Sequence, residues 1–296
     1  MNTLNSKNPF SLGPIRSLSQ FFGREKETQR ALSFLHYGQC VSIVGPTKIG
    51  KTSLLFHMAH PHVRAKRGLA EKQAFAYIDC RSLINLDQGE CYKHIQGEII
   101  QQVKNMAAVD KAVGARLEKA VQEGGWEIAP FFSLDTLLQV SEANGLRLII
   151  SLDNFEILAY SSCLKDCFFS ALRSFPITHQ MAYLVASRHP LDELERIRGP
   201  EASPFFNIFQ PITLGPFTSE ESRRLVIALL ERAAARFPEF VIDSILELGN
   251  REPYNLQRAG YAAFELWQEN GKDLQMEHCE EIRQRFEGKE KLNCVR

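Results

Sequence analysis

Apolar residues along the chain fall into short β-rich runs, and these alternate with stretches whose apolar positions recur every three to four residues. That alternation predicts buried strands separated by amphipathic helices. Cys40-Val-Ser-Ile-Val44 is stopped by Gly45-Pro46, the pattern of a strand ended by a turn. Further strands are expected at Phe75-Ala-Tyr-Ile-Asp79, Leu146 to Leu152, Met181 to Ala186 and Ile208 to Leu214. Leu146 to Leu152 is largely apolar, as expected for a strand covered on both faces of a parallel sheet. Helical spacing runs from Glu25 to Leu35, with Ala31, Leu32 and Leu35 on one face, and from Lys51 towards His60, ended by Pro61. Two helices are expected between Gln88 and Glu123, parting near Ala108 to Asp110. Another covers Asp135 to Ala143, closed by Asn144-Gly145, and a further one Leu164 to Phe175.

Strands alternating with helices build right-handed βαβ units, so the predicted fold class is α/β with a mostly parallel sheet between helices. From Thr218 the pattern becomes helical only. Thr218-x-x-Glu221 has the spacing of a capping box, and Leu225, Ala228, Leu229 and Ala233 share one apolar face. Later helices fit Phe240 to Leu248, Tyr254 to Gln268 and Met276 to Phe286. Residues 1–20 are polar, punctuated by Pro9, Gly13 and Pro14, and read as an extended lead-in. There is no internal repeat and no low-complexity block.

Composition narrows the class of partner. With 35 basic and 35 acidic residues the chain is neutral, whereas a protein held mainly by phosphate-backbone neutralisation carries a basic excess. Nucleic acid is therefore not favoured as the main partner. His60, His62, Arg64, Lys66 and Arg67 form one basic stretch, read as a solvated loop in preference to a nucleic-acid patch. The N-terminus lacks the charged and apolar regions of a secretory signal, and no apolar run approaches the ~18 residues that span a bilayer, so a cytoplasmic protein is expected. Seven cysteines, at 40, 80, 91, 163, 167, 279 and 294, read as reduced thiols. Cys163 and Cys167 stand at i, i+4 on an expected helix, but with no second ligand pair nearby they read as thiols and not as a metal site. Trp126 and Trp267 lie among apolar neighbours and read as packing residues.

The chemistry concentrates after the first strand. Gly45-Pro46-Thr47-Lys48-Ile49-Gly50-Lys51-Thr52 fits G-x-x-x-x-G-K-[ST] at every fixed position. The glycines let backbone N–H groups curl towards phosphate oxygens, and the helix that follows, through Ser53, offers its positive end to the same anion. Lys51 would reach the β- and γ-phosphates, and the Thr52 hydroxyl would ligate Mg²⁺. Asp153 closes the buried run Leu148-Ile-Ile-Ser-Leu at the sheet edge where open α/β folds bind ligands. It either holds Mg²⁺ opposite Thr52 or caps the next helix. Glu156 either orients water or is a solvated first-turn carboxylate favoured by the helix dipole. Arg188, after Leu184-Val-Ala-Ser187, either reads a γ-phosphate or forms a surface ion pair with Asp192 or Glu193. The ligand implied is a nucleoside triphosphate, ATP with Mg²⁺.

Several motifs in order carry a wider likeness. Phe21-Phe-Gly23-Arg24-Glu25 precedes the P-loop; Leu152-Asp153-Asn154-Phe155-Glu156 follows it; then come Ser187-Arg188, Leu214-Gly-Pro-Phe-Thr-Ser-Glu220-Glu221 and Gly249-Asn-Arg-Glu-Pro253-Tyr254. Together they resemble the STAND-class and origin-recognition-like P-loop ATPases, relatives of AAA+ proteins, over roughly Asn8 to Gly271. The resemblance implies a five-stranded sheet followed by a small helical lid, divided as lead-in 1–20, ATPase core 21–216, and lid and tail 217–296. It places Arg24 and Pro253 beside the nucleotide base, gives Arg188 a sensor role, and implies a nucleotide-dependent switch for self-assembly or for engaging a protein partner. Two positions depart from the family pattern. Asn154 stands where many relatives carry the glutamate that polarises water, which implies slow turnover, with Glu156 as a substitute base. The Gly249…Pro253 motif is two residues longer than usual. A DNA-associated loader is a rival reading, but the stretch after Gly271 is too short for a winged-helix domain. A small-molecule kinase is a weaker one, because Asp153 to Leu172 lacks substrate-binding arginines.

Overall fold

The computed structural model describes residues 7–66, 73–106, 109, 111–125, 127–199 and 203–293. Arg67, Trp126, Cys294 and the expected break at Ala108 and Asp110 lie outside them. Five strands, β1 (Cys40–Val44), β2 (Gln73–Asp79), β3 (Arg147–Asp153), β4 (Met181–Ser187) and β5 (Phe209–Thr213), form one sheet in the order β2-β3-β4-β1-β5. Every pairing is parallel. The helices are α1 (Glu25–His36), α2 (Lys51–Ala59), α3 (Pro61–Ala65), α4 (Gln88–Lys104), α5 (Lys111–Glu123), α6 (Pro130–Ala143), α7 (Glu156–Tyr160), α8 (Asp166–Thr178), α9 (Leu191–Arg198), α10 (Ser219–Arg232), α11 (Glu239–Gly249), α12 (Pro253–Glu269) and α13 (His278–Asn293).

The chain divides into two compact units. One comprises residues 25–46 and 54–214 and holds the sheet. All of β1 and β4 is buried, as the apolar runs required. Helix α1 packs on β1 and β5, α4 on β2, α6 on β3 and α8 on β4. Phe155, Phe168, Phe169, Phe205 and Tyr183, all fully buried, fill the core beyond the strands. Burying one such ring contributes roughly 1.5–3 kcal/mol. The other unit comprises residues 1–24, 47–53 and 215–296. Its core joins Phe217, Leu225, Leu229, Val241, Ile245, Phe264 and Trp267 from α10–α12 and their approaches to Ile282 of α13 and Phe10 of the lead-in.

Local signals explain most boundaries. The capping box at α10 is formed: Thr218 Oγ1 accepts from the Glu221 N–H (3.1 Å) and Glu221 Oε2 from the Thr218 N–H (2.8 Å). Proline starts two helices: α3, which the apolar spacing does not predict, and α6, which it predicts only from Asp135. Pro61 ends α2 but opens α3, with His60 Nδ1 accepting from the His62 N–H, and Pro130 begins α6 five residues before Asp135. In both places the missing N–H falls where a helix has no use for it. Helix α8 starts at Asp166, so Cys163 lies outside it and does not share a helical face with Cys167.

From residue 7 the lead-in runs without regular structure to a 3-10 turn at Leu18–Gln20, and it is docked. Phe10 is buried against Gly260 of α12, where any Cβ would collide with its ring. Asn8 Nδ2 donates to the Tyr261 carbonyl (3.2 Å), and Gln257 Oε1 accepts from the Ser11 N–H (2.9 Å).

Candidate nucleotide site

Two sets of residues carry the candidate chemistry, one in each unit. In the unit with the helical region, the loop Thr47–Gly50 leads into α2 at Lys51. Lys48 (φ 68°) and Gly50 (φ 102°) are left-handed, separated by Ile49 of ordinary φ. Such alternation turns successive N–H groups to one concave side, an arrangement that binds anions. A Cβ on Gly50 would meet nothing within 4 Å, so backbone conformation and not space demands glycine there. Ile49 and Lys51 are buried and Thr52 is half-buried.

Three contacts hold this loop within its unit. Arg24, buried and itself left-handed (φ 66°), donates from Nη2 to the carbonyls of Ile49 (3.4 Å) and Gly215 (2.5 Å). Its guanidinium lies 4.8 Å from the centre of the Phe217 ring. Ser53 Oγ accepts from the Ile15 N–H of the lead-in (2.9 Å). Lys48 Nζ sits 4.1 Å from the centre of the Tyr254 ring, next to Pro253 at the start of α12. Partial burial alone would raise the Glu221 carboxyl, but hydrogen bonds from Thr218 and Arg24, with Arg24's charge, outweigh it and hold the group below its ordinary range. Among the residues predicted to bind nucleotide, Arg24, Thr47 to Ser53 and Pro253 are thus in one unit.

In the other unit, the sheet delivers polar groups to the C-terminal ends of its strands. Gly45 prolongs β1, its N–H donating to the Ser187 carbonyl (3.2 Å), and Pro46 follows. Asp79 ends β2 in register with Asp153, which ends β3. Asp153 is 1% exposed, and its Oδ2 accepts from the Tyr77 hydroxyl (3.0 Å). Asn154 turns the chain with φ 54°, a conformation that asparagine tolerates better than most side chains. Its Nδ2 donates to Asp79 Oδ1 (3.0 Å). Arg81 grips the same carboxylate from Nε (2.9 Å to Oδ2), Nη2 (2.5 Å) and its backbone N–H (3.1 Å). Partial burial would raise the Asp79 carboxyl, but the donors of Arg81 and Asn154 outweigh it and hold it below the usual carboxylate range.

Glu156 opens α7 and is buried, not solvated. Arg188 Nε lies 3.1 Å from Glu156 Oε1, and the Arg188 N–H donates to Oε2 (3.4 Å). Arg188 therefore pairs across to α7 and not along its own segment: Asp192 is paired with Arg196 and Glu193 with His189. The structure brings Glu156 and Arg188 together, and it adds Asp79, Arg81 and Tyr77 to the surroundings of Asp153 and Asn154. Asp79 closes an apolar run much as Asp153 does, and that was its one signal in the sequence.

The left-handed turns at 48 and 50 suit a polyphosphate, and the Thr52 hydroxyl in the one unit and the Asp153 carboxylate in the other are each oxygen donors of the hard type that Mg²⁺ takes. Among the described residues, no helix is long and apolar enough to cross a membrane.

Known proteins place this arrangement. The Walker-type ATPase PABY2304 of Pyrococcus abyssi superimposes with TM-score 0.62 at 19% identity, over 94% of this chain and 75% of that one. The Aeropyrum pernix ORC2 protein, in its ADPNP-ADP complexes, gives 0.66 at 16% identity, over 96% and 72%. Domain III of the Thermotoga maritima replication initiation protein DnaA gives 0.57 at 14% identity, over 93% and 98%. At such identities the likeness is one of fold. No curated protein matches the sequence. The model of the family described as Novel STAND NTPase 1 matches residues 15–285, nearly the whole length, and the chain belongs to that family.

Proposed function

We propose that this NTPase binds ATP with Mg²⁺ and acts as a slowly hydrolysing switch whose nucleotide state governs self-association or engagement of a protein partner. The observation that carries the reading is the left-handed geometry at Lys48 and Gly50 in a complete G-x-x-x-x-G-K-T loop. Backbone N–H groups of that loop and the start of α2 would take the phosphates, with Lys51 neutralising the β- and γ-phosphates. Thr52 and Asp153 are the residues that would hold Mg²⁺, which when bound neutralises charge on the phosphates. Tyr77 would fix the rotamer of Asp153 from behind.

The grouping of residues 47–53 with the lead-in and α10–α13 supports a switch. Arg24 ties the Ile49 carbonyl to Gly215, and Lys48 lies on Tyr254, so strain in the loop on binding phosphate would pass directly into the helical unit. Arg188 would read the γ-phosphate by exchanging its Glu156 partner for the nucleotide. Its bidentate fork suits phosphate, and releasing Glu156 would free a carboxylate in the ATP state. Size-exclusion chromatography with light scattering, run without nucleotide and with ADP, ATP and a non-hydrolysable ATP analogue, tests the switch. A change of mass or elution volume confined to the triphosphate states is expected. Identical profiles in all four, in the presence of proven binding, contradict it.

A further inference from the structure

Asn154 occupies the position after Asp153, and an amide is not a useful base near neutral pH. What it does offer is a donor and an acceptor on one rigid plane, so its value to hydrolysis depends on which end faces the reaction. The structure fixes that end. Asp79, an acceptor only when ionised, lies 3.0 Å from Asn154 Nδ2, so the nitrogen must face Asp79 and the carbonyl oxygen Oδ1 must face away. The backbone adds a second constraint, since φ 54° at residue 154 directs the side chain from a conformation that few residues other than asparagine and glycine hold without strain.

We propose that Asp79 is a positioning residue for hydrolysis: it orients the Asn154 amide so that its Oδ1 accepts a hydrogen bond from, and thereby aligns, the attacking water. The assignment rests on the ATPase reading above. Asp79 does not act as the base itself, because its oxygens already accept from Arg81 at Nε, Nη2 and the backbone N–H as well as from Asn154. Arg81 also compensates the charge of a second carboxylate that the strand register places beside Asp153. The order of contacts runs from guanidinium to carboxylate to amide to water. Each link sets the orientation of the next, and no proton is transferred along it. The arrangement moves a carboxylate from the residue after Asp153 to the end of the neighbouring strand, where it acts through asparagine.

The test uses Asp79→Ala, Asp79→Asn, Asn154→Gly and the Asp79→Ala/Asn154→Gly double variant. Glycine removes the amide while keeping the left-handed backbone. ATP affinity is measured by calorimetry and turnover by phosphate release under saturating Mg·ATP, in single-turnover and steady-state modes. Asp79→Ala and Asn154→Gly are each expected to slow turnover about ten- to a hundredfold, the worth of one hydrogen bond to a charged or reacting group. ATP affinity should stay within a few-fold of wild type. Asp79→Asn, whose carbonyl still accepts from Asn154 Nδ2, is expected to recover much of the rate, and the double variant to be no slower than the slower single one. Wild-type turnover in Asp79→Ala, multiplicative losses in the double variant, or bound ATP that wild type never cleaves would each overturn the assignment. So would an Asp79→Asn as slow as Asp79→Ala, because the carboxylate itself would then be required. If Asp79→Ala does not fold, Asn154→Gly and Asp79→Asn still decide, since the first must be slow and the second must not. Failure of wild type to bind ATP at all would show in the calorimetry, and would remove the ATPase reading instead.

Discussion

Replacing Asn154 by glutamate restores the residue that many relatives of this fold carry, and sequence comparison alone would expect faster hydrolysis. The structure predicts a destabilised protein. Three terms enter. Glutamate at φ 54° lacks asparagine's tolerance of the left-handed region, at a cost of about 1 kcal/mol. Losing the hydrogen bond to the Asp79 carboxylate costs about 1.5–3 kcal/mol. Two carboxylates about 4 Å apart repel by roughly 4 kcal/mol at an effective dielectric near 20. The Arg81 charge and the partial exposure of Asp79 reduce that repulsion to about 1 kcal/mol. Asn154→Gly incurs only the second term, so Asn154→Glu should lie about 2 kcal/mol below it at pH 7 in urea unfolding. The sign of the pH dependence follows from the same contact. Repulsion raises the folded-state pKa of the new carboxyl above its unfolded value, so the penalty is present at neutral pH and disappears as the group protonates. The gap between the two variants should therefore narrow between pH 7 and pH 4. Equal stability of Asn154→Glu and Asn154→Gly at pH 7, or a gap unchanged at pH 4, would refute the reasoning.

Other outcomes are expected from the same structure. Arg188→Ala leaves the buried Glu156 carboxylate without its guanidinium and should cost about 1–2 kcal/mol, a figure reduced from the fully buried case because Arg188 is 58% exposed. Glu156→Gln in that background should recover most of the loss, and Arg188→Ala should also lower the ratio of ATP to ADP affinity; an unchanged ratio would leave Arg188 a structural residue. Phe10→Ala empties the seat against Gly260 and should destabilise the helical unit by about 3–5 kcal/mol; Gly260→Ala, which evicts the ring, should act in the same direction, and thermal melts of both variants matching wild type would contradict the docked lead-in. Burial first, and the charge of His60 second, lower the His57 pKa to about 4, so the unfolded chain takes up a proton before the native one does. Stability should therefore fall as pH drops from about 6.5 towards 4, and His57→Gln should flatten that part of the curve in denaturant titrations.

The sheet was legible because its strands are covered on both faces. Runs such as Leu148 to Leu152 have little alternative to a central parallel strand, and the loop after Val44 has a spacing that phosphate binding dictates. Helix α9 escaped notice because it buries only Leu191 and Leu194 among charged neighbours, too narrow a stripe to stand out as a period. The helix starts at Pro61 and Pro130 were less legible for a different reason: proline is equally at home just after one helix and in the first turn of the next. Long-range contacts were out of reach. Nothing local to Phe10 points to Gly260, and the bond from Asn154 to Asp79 exists only once β2 and β3 are paired in their actual register. The pairing of Arg188 with Glu156 in place of Asp192 or Glu193 depends on β4 lying beside β3, which the order of strands in the sequence does not specify.

The central claim is that the loop from Gly45 to Thr52 binds a nucleoside triphosphate, and isothermal titration of Mg·ATP into wild type and Lys51→Ala tests it most directly. In the proposed site Lys51 would neutralise the β- and γ-phosphates, and losing a charge-assisted contact of that kind is worth about a hundredfold in affinity. Wild type is predicted to take up close to one ATP per chain. Lys51→Ala, with an unchanged circular dichroism spectrum, is predicted to bind about a hundredfold more weakly or not measurably. Binding by Lys51→Ala within a few-fold of wild type, or no binding by wild type itself, would contradict the account.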